Sequence, residues 1–116
     1  MVASQNGRDS GVGTGIGPVS LAIGDLNADG RPDLVTANGY DSVYVLLGTG
    51  AGQFAAKTSY ATSLWPQAVA IADVSGDGFP DVVTAGDAVS VLLGNGAGGF
   101  GAHSDLAIPP LHREYA

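Results

Sequence analysis

The 116-residue chain repeats itself, and the repeat restricts its fold more than any other feature. The segment "PVSLAIGDLNADGRPDLVTA" from Pro18 returns as "PQAVAIADVSGDGFPDVVTA" from Pro66, at an offset of 48. Further on, "VYVLLGTGAGQF" from Val43 returns as "VSVLLGNGAGGF" from Val89, at an offset of 46. The two-residue difference falls where "NGYDS" faces "GDA", a polar, glycine-containing site of the kind a surface hairpin tolerates. A unit of about 47 residues that recurs in order and spacing is a supersecondary unit stacked on its own copy.

Within each unit the hydrophobic period is that of a strand. Val19, Leu21 and Ile23 alternate with Ser20, Ala22 and Gly24, which gives one bulky and one small face. An acidic loop follows, then a second strand "DLVTA", a turn at Asn38-Gly39, a third strand "SVYVLLG", the turn "TGAG" and a fourth strand around "FAAKTSYAT". The second unit reads "VAIA", "DVVTA", "VSVLLG" and "FGAHSDLAI". No stretch sustains the helical period, so helix is expected nowhere but in the C-terminal "LHREYA". The expected fold is all-β, with two four-stranded β-propeller blades at residues 18–64 and 65–110 and a tail at 111–116. The small face of the first strand suits an innermost strand crowded towards the propeller axis. Residues 1–17 read either as a linker or as the outer strand of a preceding blade, because Val12 and Thr14 align with Tyr60 and Thr62. An eight-stranded sandwich is the competing arrangement, but it does not require repeats that match in order.

Composition narrows the partners. The 19 glycines recur between β-branched runs, as many tight turns would need, and the absence of cysteine excludes disulfides and thiolate metal sites. No apolar run approaches the roughly 18 residues of a membrane-spanning helix, and "MVASQNGRDS" lacks the apolar core of a signal peptide. A net charge of −7 argues against nucleic acid or an anionic membrane surface as partner. The charge is also local. Six of the eleven acids (Asp25, Asp29, Asp33, Asp73, Asp77 and Asp81) lie in the two loops, and without them the balance would be −1.

Counting Asp25 as position 1, oxygen-bearing side chains fall at 1, 3, 5 and 9: Asp25, Asn27, Asp29 and Asp33. The second loop offers Asp73, Ser75, Asp77 and Asp81. Position 6 is glycine in both (Gly30, Gly78), where a sharp turn wraps the loop round an ion. Position 7, Arg31 or Phe79, varies as it would if only its backbone carbonyl were used. Asp, Asn and Gly also make good turns, yet three carboxylates converging within nine positions would repel one another without a cation. An all-oxygen set suits Ca²⁺ better than Mg²⁺, which demands a stricter octahedron. An EF-hand needs flanking helices and a glutamate at position 12, where this chain has Thr36 and Thr84 between strands.

The run "D-x-N-x-D-G-x-P-D-L-V" followed by "V-L-L-G-x-G-x-G-x-F" resembles the FG-GAP/VCBS repeat, over about residues 18–108. That family supplies the calcium-binding blades of integrin α-subunit propellers and of many bacterial secreted proteins. The resemblance implies two Ca²⁺ sites per chain. The first would use Asp25, Asn27, Asp29, the Arg31 carbonyl and Asp33; the second Asp73, Ser75, Asp77, the Phe79 carbonyl and Asp81. The family's Phe-Gly pair survives at Phe100-Gly101 and becomes Phe54-Ala55 in the first unit. An extracellular or cell-surface location is implied as well, where calcium is plentiful.

Closed propellers take about four to eight blades, so two blades would leave apolar faces uncovered. A homo-oligomeric ring is therefore expected, a trimer with six blades or a tetramer with eight, provided that the rotation closes; the alternative is a piece of a longer chain that is unstable alone. The expected role is a non-catalytic scaffold or binding module for protein or glycan. The alternatives are a propeller lyase or hydrolase, and a lectin in which Trp65 and Tyr40 stack on a sugar between blades. A plainer role for Trp65, just before Pro66 in the link, is packing between blades. His103 and His112 lack counterparts in the first unit and read as solvated surface. "GNGAGG" imitates a dinucleotide fingerprint, but no helix follows and its counterpart breaks the pattern at Gln53. "AAKTS" lacks the glycine that a phosphate loop carries before its lysine.

Overall fold

The computed structural model describes residues 19–107, which contain strands, turns and loops and no helix. The readings attached to residues 1–17 and to "LHREYA" lie outside the described residues. Each repeat forms its own antiparallel sheet. The first begins with β1 (Ser20–Gly24), β2 (Asp33–Ala37) and β3 (Ser42–Leu46). A small ribbon of β4 (Gly48–Gly50) and β5 (Gln53–Phe54) follows, and β6 (Thr58–Ala61) completes the sheet in the order β1-β2-β3-β6. The second sheet is β7 (Ala68–Ala72), β8 (Asp81–Ala85), β9 (Ala88–Leu92) and β10 (Ser104–Ala107), again joined in chain order.

The turn "TGAG" is more than a turn. Phe54 pairs back with Gly48, so the fourth strand starts only at Thr58, later than its apolar pattern suggests. The second unit keeps one bridge of this ribbon, between Gly94 and Phe100. The Asn38-Gly39 turn forms as expected: Asn38 Oδ1 accepts the N–H groups of Tyr40 (2.8 Å), Asp41 (3.2 Å) and Ser42 (3.3 Å), with Gly39 at φ +79°.

Strand register decides which faces meet. Ser20, Ala22 and Gly24 stand opposite Ala37, Val35 and Asp33, and Val35 and Ala37 stand opposite Val45 and Val43. That face packs on the second sheet. Val35, Ala37, Val43 and Val45 form one core with Val82, Leu92 and Leu26, joined by the half-buried Val69 and Ile71. Each fully buried Val or Leu contributes about 1.5–3 kcal/mol. The small row of β1 has a more specific purpose than crowding at an axis. A Cβ on Gly24 would lie 3.2 Å from Ile71 Cδ1, so this row receives the bulky row of β7. Tyr60 and Phe100 close the contact edge to face, with ring centroids 5.4 Å apart.

Candidate metal centre

The β1–β2 and β7–β8 connections are the two acidic loops. In each, three carboxylates (Asp25, Asp29 and Asp33; Asp73, Asp77 and Asp81) bring oxygens within 4.8 Å of one another. Backbone N–H groups hold them there. Asp25 accepts from Gly30 (2.8 Å), Asp29 (3.3 Å) and Asn27 (3.4 Å). Asp73 accepts from Gly76 and Gly78, both at 2.8 Å. Asp29 accepts the Arg31 N–H at 2.8 Å, and Asp77 accepts the Phe79 N–H at 2.9 Å. The Gly30 N–H, first among several such donors, holds the Asp25 carboxyl below the usual carboxylate range; Gly78 does the same for Asp73.

Position 9 differs in kind from positions 1 and 5. Asp33 and Asp81 are fully buried, whereas the other four acids are exposed. Asp33 Oδ2 accepts the Leu26 N–H at 2.7 Å and its Oδ1 accepts the Gly48 N–H at 2.7 Å. Asp81 Oδ2 accepts from Val74 (2.9 Å) and Ser75 (3.3 Å), and its Oδ1 from Gly94 (2.8 Å). Each buried aspartate therefore ties its own loop to the turn after the third strand. A carboxylate oxygen has two lone pairs, so these bonds leave capacity for an ion.

The remaining predicted positions fall in place around these acids. Asn27 sits between Asp25 and Asp29. With its amide nitrogen turned inward it donates to Asp29 Oδ1 at 2.9 Å and Asp25 Oδ1 at 3.1 Å; with its oxygen inward it adds to the oxygen set. Ser75 Oγ lies 3.4 Å from Asp73 Oδ1. The side chains of Arg31 and Phe79 lie over the following hairpin, where Cβ atoms on Gly50 and Gly96 would come within 3.4 Å of Arg31 Nε and 2.7 Å of Phe79 Cδ1. Those two glycines make room for position 7, a role invisible in the loop motif itself. The loops also differ at position 4, where Ala28 holds φ +61° and its counterpart Gly76 holds φ +80°. The left-handed conformation costs a non-glycine residue roughly 1–2 kcal/mol.

Trp65 and Tyr40 do come together, away from the acidic loops. Their rings stand edge to face at 5.5 Å, both about half exposed, and the Trp65 N–H donates to the Tyr40 carbonyl at 2.7 Å. Neither ring belongs to the core that joins the sheets. His103 lies at the surface, where its Nδ1 meets Asp105 Oδ1 at 2.6 Å. The buried Ser90 hydroxyl donates to the same Asp105 oxygen at 2.7 Å and accepts the Ser63 N–H at 2.9 Å. The Ser90 hydroxyl, then the His103 ring, hold the Asp105 carboxyl below the usual range.

Two sheets of four antiparallel strands, each with an acidic cradle between its first two strands, define an all-β repeat module. Residues 25–84 match the FG-GAP-like repeat, which is more than half of the chain, and the chain belongs to that family. Comparison with curated proteins gives no significant match.

Proposed function

We propose that this chain is a calcium-binding, non-catalytic propeller module in which each sheet is one blade. It self-assembles into a closed ring and acts outside the cell or at its surface, as a scaffold or as a binding unit for protein or glycan. The observation that carries this reading is the doubled cradle: the same three carboxylates converge within 4.8 Å in both repeats, positioned by backbone donors. Hard oxygen donors of this kind fit Ca²⁺, which accepts six to eight such ligands in adaptable geometry. Calcium would neutralise the repulsion among the acids and select the oxygen-inward Asn27 amide. In the described residues the Ser90–Asp105–His103 chain has the carboxylate between serine and histidine. A nucleophilic triad needs the histidine in the middle, so this trio is not one.

Thermal melting in EDTA and in millimolar calcium tests the reading. A cation at 100-fold over its Kd adds about 2.7 kcal/mol per site, which raises Tm by on the order of 10 °C for a chain of this size. Magnesium should give a smaller rise. A Tm that is the same in EDTA and calcium would overturn the proposal.

The Tyr40–Trp65 pair supports a glycan as the ligand. Trp65 is held at φ +61° with its indole half exposed, and backbone strain of this type concentrates where ligands are clamped. Binding on a glycan array, lost on Trp65→Ala while the calcium-dependent melt is retained, is the expected result. Unaltered binding by Trp65→Ala would remove the pair from the ligand site.

A further inference from the structure

The surfaces that meet between the two sheets occur a second time on the outside of the chain, with no partner among the described residues. Within the chain, the sheet of the first repeat presents Leu26, Leu47 and Tyr60, and all three are packed in the shared core. Their counterparts in the second repeat are Val74, Leu93 and Leu106, exposed by 52, 50 and 62%. The second sheet contributes Val69 and Ile71 to the same core, and their counterparts Leu21 and Ile23 are exposed by 56 and 64%. Half of the ten large exposed hydrophobic residues among the described ones are thus counterparts of residues that the internal interface covers.

The shapes correspond as well as the residue types. Inside, Val69 and Ile71 meet the small row Ser20, Ala22 and Gly24. Outside, Ala68, Ala70 and Ala72 form the same small row on β7, and with Val83, Ala85 and Val89 the first two line an open apolar groove of about 160 Å³. On the opposite outer face Thr36 and Leu46 are already buried, so it is the β1 row that stands free.

We infer that the β7 groove is the docking site for Leu21 and Ile23 of a second copy of this chain, in the register that β1 and β7 already use internally. This rests on the self-assembly reading above and specifies its contact. The interface is heterologous: the small row of one copy takes the bulky row of the next, and a ring forms when the repeated rotation closes. Phe54, the counterpart of Phe100, meets Leu106 of the neighbouring copy where Phe100 meets Tyr60 inside. The second calcium loop, whose Val74 is bare, acquires the cover that the first loop has at Leu26.

Cysteine pairs read the register, because the chain has no cysteine of its own. A Cβ on Gly24 would lie 3.8 Å from Ile71 Cβ, which is disulfide distance. Gly24→Cys with Ile71→Cys should therefore close within one chain and serve as the control. The equivalent pair across copies is Ile23→Cys with Ala72→Cys, and it should give covalent oligomers under mild oxidation. Neither single variant should build a ladder beyond a dimer. Light scattering should give the unmodified chain a discrete mass of three or four copies of 11.5 kDa. Leu21→Asp with Ile23→Asp, both on exposed positions, should reduce it to a monomer with an unchanged β circular-dichroism spectrum. A monomeric unmodified chain at every concentration would sink both self-assembly and this contact, including the case where the chain's own terminal residues cover the groove. An oligomer that survives the double aspartate variant and forms no Ile23→Cys/Ala72→Cys cross-link would overturn this contact alone and leave assembly to another face.

Discussion

Asp33→Ala and Asp81→Ala should strongly destabilise the chain even in EDTA, whereas Asp25→Ala and Asp29→Ala should matter only when calcium is present. The reason is burial. Asp33 is fully enclosed and serves two N–H groups, those of Leu26 and Gly48, and Asp81 serves three. An orphaned buried donor costs about 1–3 kcal/mol, so losing the Asp33 carboxylate, with two buried donors, costs roughly 2–6 kcal/mol against a total stability of about 5–15 kcal/mol. Asp81 holds three donors that are each part-buried, and its loss is of the same order. Asparagine is no remedy, because its NH₂ would face one of the same N–H donors. Asp25 and Asp29 are exposed, and in EDTA their removal relieves like-charge repulsion. Urea denaturation of all four variants in EDTA separates the two classes. Equal midpoints for Asp33→Ala and Asp25→Ala would show that position 9 has no structural task of its own.

The loop motif announced which carboxylates converge, since Asp25, Asp29 and Asp33 are spaced to meet around one point and the repeat copies them. It did not announce that position 9 also ties down the turn after the third strand. That bond joins Asp33 to Gly48, fifteen residues away, and only the folded hairpin brings them together. The two sheets and their strand order were legible from alternation and glycine turns. The late start of β6 was not, because the β4–β5 ribbon is built from backbone pairing of Gly48 with Phe54, and alternation of side chains carries no trace of it. Small and bulky rows on β1 were visible, but which one meets a neighbour depends on sheet stacking. The Ser90–Asp105 bond was not legible either, because it is defined by register: Asp105 stands opposite Ser90 across β10 and β9.

The two cradles are unequal for reasons the structure makes physical. The first has a carboxamide at position 3, a strained Ala28 and a position 2, Leu26, sealed in the core. The second has a shorter hydroxyl at Ser75, an unstrained Gly76 and an exposed Val74. The first loop therefore carries its backbone strain inside a packed neighbourhood, while the second carries less strain with less cover.

Gly48→Ala and Gly94→Ala should be as damaging as the loss of a buried aspartate, and for a related reason. A Cβ at Gly48 would lie 2.2 Å from the Pro32 carbonyl oxygen, and one at Gly94 would lie 2.0 Å from that of Pro80. These obstacles are backbone atoms, with no rotamer to change, so the turn itself must retreat. The same two glycines donate their N–H groups to Asp33 and Asp81, at 2.7 and 2.8 Å. Retreat breaks those bonds and shifts position 9, so stability and calcium affinity should fall together. The expected loss is about 3 kcal/mol or more, the upper range for a point substitution. Gly52→Ala is the control. It has φ +74° and nothing within 4 Å of its added methyl, so its cost should be the backbone penalty alone, roughly 1 kcal/mol. Urea midpoints and calcium titrations on the three variants decide the matter. If Gly94→Ala behaves like Gly52→Ala, the close approach to Pro80 is not what demands glycine in "VLLG". If it behaves like Asp81→Ala, the turn after the third strand is part of the metal centre.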